Sequence, residues 1–169
     1  MKYFVYLNVS LLNINIMNAI KSHKELIVYQ LAFKVSMEIF QITKSFPKEE
    51  IYALTSQIHR SSRSVCANLA EAFRKRRYEK AFVSKLSDLE GEAAETQVWL
   101  DYSLNCGYMP EVTYKNLFDE YEKIIGMIIT MMNHPDKWSL TKPISPSPHL
   151  PISLRNLALS VISFSQLGS

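Results

Sequence analysis

Apolar residues recur at steps of three and four along four long stretches of this chain, the spacing of helices that each bury one face. The first covers about Lys24 to Ser45: Val28, Leu31, Val35, Ile39, Ile42 and Phe46 form its stripe, and Tyr29, Phe33 and Phe40 widen it. Pro47 biases Phe46 away from helical backbone and ends the element. The second, about Lys48 to Arg74, opens with Glu49 and Glu50, which suit the positive end of a helix dipole. Its stripe is Ile51, Leu54, Ile58, Val65, Leu69 and Ala72, interrupted by Ser61 and Ser62. The third, about Tyr78 to Asn105, puts Phe82, Leu86, Leu89, Ala93, Leu100 and Leu104 on one face, and Gly107 suits the left-handed cap that follows, with Tyr108 placed to pack back. The fourth takes Pro110 as its first residue, carries Tyr114, Leu117, Tyr121, Ile124, Ile128 and Met131, and ends at Asn133.

Helices of about 22–28 residues are about 33–42 Å long, and links of a few residues force sequence neighbours to run antiparallel. The expected fold class is therefore all-α, an antiparallel up-down-up-down four-helix bundle over residues 24–134. Residues 1–23 read as a flexible extension. Asn8, Asn13, Asn15 and Asn18 make the stretch too polar for a membrane span, no small-residue cleavage site follows it, and Met17 reads as an alternative start. Residues 135–169 read as a Pro/Ser-rich disordered tail, because Pro143, Pro146, Pro148 and Pro151 exclude a regular element; a short apolar segment runs from Leu157 to Phe164.

The second helix has another ordered face. Arg60, Ser64, Asn68 and Glu71 follow at steps of four, four and three, so polar groups line a seam beside the apolar stripe. One bundle core absorbs one face, which leaves the seam for a second copy of the chain. Its expected counterpart is the acidic run of the third helix, with Arg60 and Arg63 meeting Asp88, Glu92 or Glu95 of the next subunit in a head-to-tail ring. At the end of the seam Arg74, Lys75, Arg76 and Arg77 come in succession, followed by Tyr78, Lys80 and Lys85. From Ile58 to Leu86 there are eight Lys or Arg against two Glu, a concentration suited to a polyanion, and Tyr78 is the aromatic placed to stack a base. Arg74, Lys75, Arg76, Arg77, Tyr78 and Lys80 are thus the candidate nucleic-acid contacts. The bland reading of such a run is a solvated turn whose Arg74 meets the negative end of the helix dipole.

The stretch SVCANLAEAFRKR resembles the signature S-I-x-x-N-I-A-E-G-x-x-R of the family named for proteins encoded within intervening sequences of bacterial 23S ribosomal RNA genes. FPKEEIYALTSQIHRSS before it and FVSKLSDLEGEAAETQVWLDYSLNCGYM after it resemble the same family, so the likeness covers about Lys24 to Asn133. Ala72 stands where the family usually has Gly, a local change that favours helix by about 1 kcal/mol. The resemblance implies the same bundle, assembled as a homo-oligomer, often a pentamer. Related accessory variability determinant proteins of diversity-generating retroelements are associated with RNA and a reverse transcriptase, which makes both of these implied partners.

Composition narrows the remaining choices. Four glycines in 169 residues argue against a fold that needs many tight turns or a Gly-rich phosphate loop. A formal charge of +3 is mild, so any nucleic-acid reading rests on clustering and not on the total. Cys66 and Cys106 lack CxxC spacing, which suits reduced thiols in a cytoplasm. The acids Asp88, Glu90, Glu92, Glu95 and Asp101 raise the idea of a di-iron bundle, but that chemistry needs Glu-x-x-His pairs: His59 and His134 have no Glu three residues before them, and His23 and His149 lie outside the bundle, so an acidic face pairing with Arg60 and Arg63 of the second helix is the better reading. His59 and Cys66 are seven residues apart on one helix, about 10 Å along its axis and too far for a base to activate the thiol. The expectation is a non-enzymatic, oligomeric accessory protein for structured RNA, without metal, cofactor or membrane association. The alternative is a protein-binding scaffold in which nucleic acid has no part.

Overall fold

The structure, a computed structural model, describes residues 20–138 and Leu140. The alternative start at Met17, the extension before Ile20 and the apolar segment Leu157 to Phe164 of the expected tail lie outside the described residues. Four helices form the body: α1 (Ile27–Ile42), α2 (Leu54–Lys75), α3 (Glu79–Asn105) and α4 (Glu111–Asn133). Short 3-10 turns at His23–Glu25, Thr43–Ser45, Lys48–Glu50 and Pro135–Lys137 flank them. No described helix is long and apolar enough to cross a membrane.

Side-chain pairs fix the topology. Thr43 meets His59 (2.6 Å) and the Phe40 ring lies 5.6 Å from that of His59, so the end of α1 lies beside the start of α2. Arg60 meets Glu95 and Lys85 meets Glu71, which runs α3 back along α2. Gln97 donates to Glu122 and Tyr114 to Asp101, which reverses α4 against α3. The contact of α4 with α1 closes the ring. This is the up-down-up-down bundle that the four stripes imply.

The core is built from the predicted stripes. Val28, Val35 and Ile39 of α1, Ile58, Val65 and Leu69 of α2, Phe82, Leu86, Leu89 and Leu100 of α3, and Leu117, Tyr121, Ile124 and Ile128 of α4 are all buried. Departures from the pattern have local causes. The first helix is framed by 3-10 turns at both ends, and Thr43 closes it by turning its hydroxyl onto the carbonyl of Ile39 (2.9 Å). Ile51 is exposed, because α2 begins at Leu54 and not at Lys48. There Glu50 accepts from the Leu54 N–H (3.2 Å), capping α2 from outside and leaving residues 51–53 in a turn. Ser61 and Ser62 do not interrupt burial: both lie in the core with their hydroxyls on the preceding turn's carbonyls. Leu104 is half-buried while Ser103 takes the inward position.

Pro110 stands just before α4, as its N-cap, and not inside it. The α3 end behaves as expected: Gly107 has φ +73°, its N–H meets the carbonyl of Leu104 and that of Tyr108 meets Ser103, a Schellman cap. Tyr108 then packs on Phe46 and donates to Glu50 (3.0 Å), tying this turn to the one before α2. The packed body also exceeds residues 24–134, because Ile20 and Trp138 rest against the core.

Leu69 is fully buried at the middle of the α2 stripe. Leu69→Asp should cost several kcal/mol, because a charge there has no partner. Thermal unfolding followed by circular dichroism checks this; an unchanged midpoint would mean that the assigned register is wrong.

Candidate nucleic-acid interface

The polar seam of α2 has its counterpart inside the chain. Arg60 reaches Glu95 of α3 at 2.7 Å, and Glu95 also accepts from the Trp99 indole (3.1 Å). Ser61 and Thr96 share a buried hydrogen bond of 2.9 Å. Further along, Glu71 is bound by Lys75 (2.6 Å) and Lys85 (3.2 Å), which hold its carboxyl below the usual carboxylate range, and Lys85 also reaches Asp88 (3.0 Å). This antiparallel register sets half-buried Ser64 opposite Glu92 and half-buried Asn68 opposite Asp88. One Glu92 oxygen, Oε2, is buried without a protein partner among the described residues.

Within the chain α3 faces this seam, pairing Arg60 with Glu95 and Glu71 with Lys85, while Arg60 and Glu71 themselves stay exposed. Arg63 lies on the opposite flank, with its guanidinium 5.7 Å from the Phe40 ring of α1, and does not join Arg60.

The basic run divides as well. Arg74 and Arg77 are exposed, as are Tyr78 and Lys80, whereas Lys75 is tied to Glu71. Arg76 departs from the expectation of a surface contact. It is only 6% exposed, its guanidinium lies 3.5 Å from the Phe73 ring centre, and its Nε donates to the Phe73 carbonyl (2.9 Å). Burial and the neighbouring Arg74 charge lower its pKa. The cause is its place in the helical repeat: Arg76 falls in line with Leu69, Ala72 and Phe73, so its aliphatic stem covers the core while the guanidinium stacks on an aromatic face.

Phe73 also anchors the chain's first described turn. The His23 ring lies edge-on to Phe73 (6.4 Å) and to Tyr29 (4.8 Å), and Ser22 caps the turn by accepting from the Lys24 N–H (3.2 Å). Lys21 and Lys24 are thereby held at the same end of the bundle as the α2–α3 turn. The antiparallel topology brings the end of α4 there too, and its Pro135–Lys137 turn rests against α3 with Lys137 exposed. Lys21, Lys24, Arg74, Arg77, Lys80 and Lys137 thus share one end, exposed and without an ion pair among the described residues, against the exposed acids Glu25, Glu79 and Asp136.

The other end carries Lys44, Lys48 and Lys115 against Glu49, Glu50, Asp101 and Glu111, with no cationic excess. Reading the chain as a line missed Lys21, Lys24 and Lys137. The signal that finds them is the bundle topology, which brings every second turn to one end.

The family model described as 23S rRNA-intervening sequence protein matches residues 24–130. The chain belongs to this family. Among solved structures, this family member is similar to a protein of unknown function from the S23 ribosomal protein family of Bacteroides thetaiotaomicron. That likeness has 24% identity and a TM-score of 0.58, and covers 63% of this chain and 96% of the other. It bears on the fold. No curated protein matches the chain.

The thiols differ sharply. Cys66 is half-buried on α2 beside Ser36 of α1, and burial pushes its pKa up to about 11, whereas Cys106 is exposed at the end of α3. Folding raises the Cys66 value from 9.0, so the stability gained by burying the neutral thiol is complete below that pH and is lost as pH rises toward 11. An aromatic disulfide reagent at about pH 8 should label Cys106 rapidly and Cys66 only on unfolding. Two equally fast thiols in the native protein would contradict this placement.

Proposed function

We propose that this family member is a non-enzymatic, oligomeric accessory protein that binds structured RNA in the cytoplasm through the basic end of its bundle. The observation that supports the reading is the meeting, at one end, of six exposed cations from three separate turns that have no ion pair among the described residues. Two turns alone would give the charge of an ordinary solvated helix connection, whereas three turns give a surface wide enough to meet several phosphates. The family's description fits a ribosomal RNA setting. Assembly as a homo-oligomer, a pentamer by resemblance, would repeat the basic end and strengthen binding by multivalency. A reverse transcriptase is the protein partner that the same resemblance implies.

The alternative, a protein-binding scaffold, draws on a different surface. Phe33 (52% exposed) and Met37 (42%) lie one turn apart on the outside of α1, and half-buried Tyr29 stacks on Phe33 at 6.2 Å. An apolar partner seated there would bind with little regard to ionic strength.

Salt separates the two readings. If the six free cations neutralise about six phosphates, the logarithm of the affinity for a structured RNA should fall with the logarithm of salt concentration with a slope of about −4 to −5. Filter binding between roughly 50 and 200 mM salt measures it. A slope near zero would remove the phosphate contacts and favour the scaffold.

A further inference from the structure

Tyr78 occupies the position that should cap α3, and it does so poorly. Ser, Thr, Asp or Asn there would accept a hydrogen bond from the first turn, but Tyr78 supplies no side-chain cap. Nor does it pack: the side chain is 70% exposed, and its phenol makes no hydrogen bond among the described residues. The ring thus contributes neither a cap nor packing, and it presents a flat face to solvent. It lies between Arg77 and Lys80, both exposed and without an ion pair among the described residues, with exposed Arg74 four residues before it in the last turn of α2.

We infer that the basic end takes an unpaired stretch of RNA, one base stacking on the Tyr78 ring while Arg74, Arg77 and Lys80 hold the phosphates on either side. This rests on the RNA-binding reading and narrows it to loops, bulges or single-stranded tails of a structured RNA. The chemistry selects unpaired RNA because a duplex keeps its base faces covered by neighbouring bases, and only splayed bases offer a face to an aromatic ring. The ring places no demand on base identity, since every base has a π-face, so recognition is tolerant of sequence and selective for strandedness.

The test compares the full chain and Tyr78→Ser for binding, by fluorescence anisotropy at low salt, to a labelled mixed-sequence RNA strand of about 12 nucleotides and to the same strand annealed to its complement. The strand should bind the wild type more tightly than the duplex. Tyr78→Ser should weaken strand binding about tenfold while leaving duplex binding unchanged. Because serine caps the helix, the same variant should raise the thermal midpoint by about 3 °C, which separates lost stacking from a damaged fold. Tyr78→Trp should retain or tighten strand binding.

Equal affinity for strand and duplex, or a Tyr78→Ser variant that binds the strand as the wild type does, would overturn the stacking inference and leave RNA binding standing. Absence of binding to either RNA would overturn both.

Discussion

Ser61 and Thr96 meet at 2.9 Å in the buried seam between α2 and α3, and the turns and ends of the bundle are placed by the register of that seam. The two helices pack along more of their length than any other pair. Small side chains at Ser61 and Ser64 let the backbones approach, and the hydroxyl pair fixes which turn faces which. Sliding α3 by one turn would leave both hydroxyls buried without each other and break Arg60 from Glu95 and Lys85 from Glu71. The exposed ion pairs contribute little individually because solvent screens them, and each hydroxyl also keeps a carbonyl of its own helix, Ile58 for Ser61 and Glu92 for Thr96. The hydroxyl contact and the ion pairs are thus all matched in this one register, and none of them has to carry it alone.

With that register fixed, the α2–α3 turn is short and held at one end of the molecule. Phe73 and Arg76 close the core beneath it, and the turn before α1 leans on the same aromatic ring through His23. Charge separation between the two ends follows from chain direction: every second turn falls at one end, and those turns carry the lysines and arginines. A net charge of only +3 conceals this, because the acids are spent along the α2–α3 seam and at the opposite end.

The helices were legible in the sequence because each has an apolar stripe long enough to outweigh single exceptions, and Gly107 marked its cap because glycine enters the left-handed backbone region without the steric cost that a side chain imposes. The α2 boundary was not legible. Ile51 continues the stripe in sequence, but Glu50 serves both the Leu54 N–H and the Tyr108 phenol, and that second partner is distant along the chain. The polar seam was visible as a periodic face, yet helical spacing alone cannot say whether such a face meets another helix of the same chain or a different molecule. Arg76 was hidden for a related reason: a run of four cations reads as uniform, while the helical repeat turns one of them onto the core. Lys21, Lys24 and Lys137 required the topology before their charges could be added to the turn.

If RNA is met by one end of the bundle, lysine footprinting shows it most directly. Acetylation of the full chain, read by mass spectrometry with and without a structured RNA at low salt, reports each lysine separately. Lys21, Lys24, Lys80 and Lys137 should become protected together, while Lys34, Lys44, Lys48 and Lys115, on the flank and at the other end, stay reactive. Protection of the second group, or uniform protection of both, would contradict binding at the basic end.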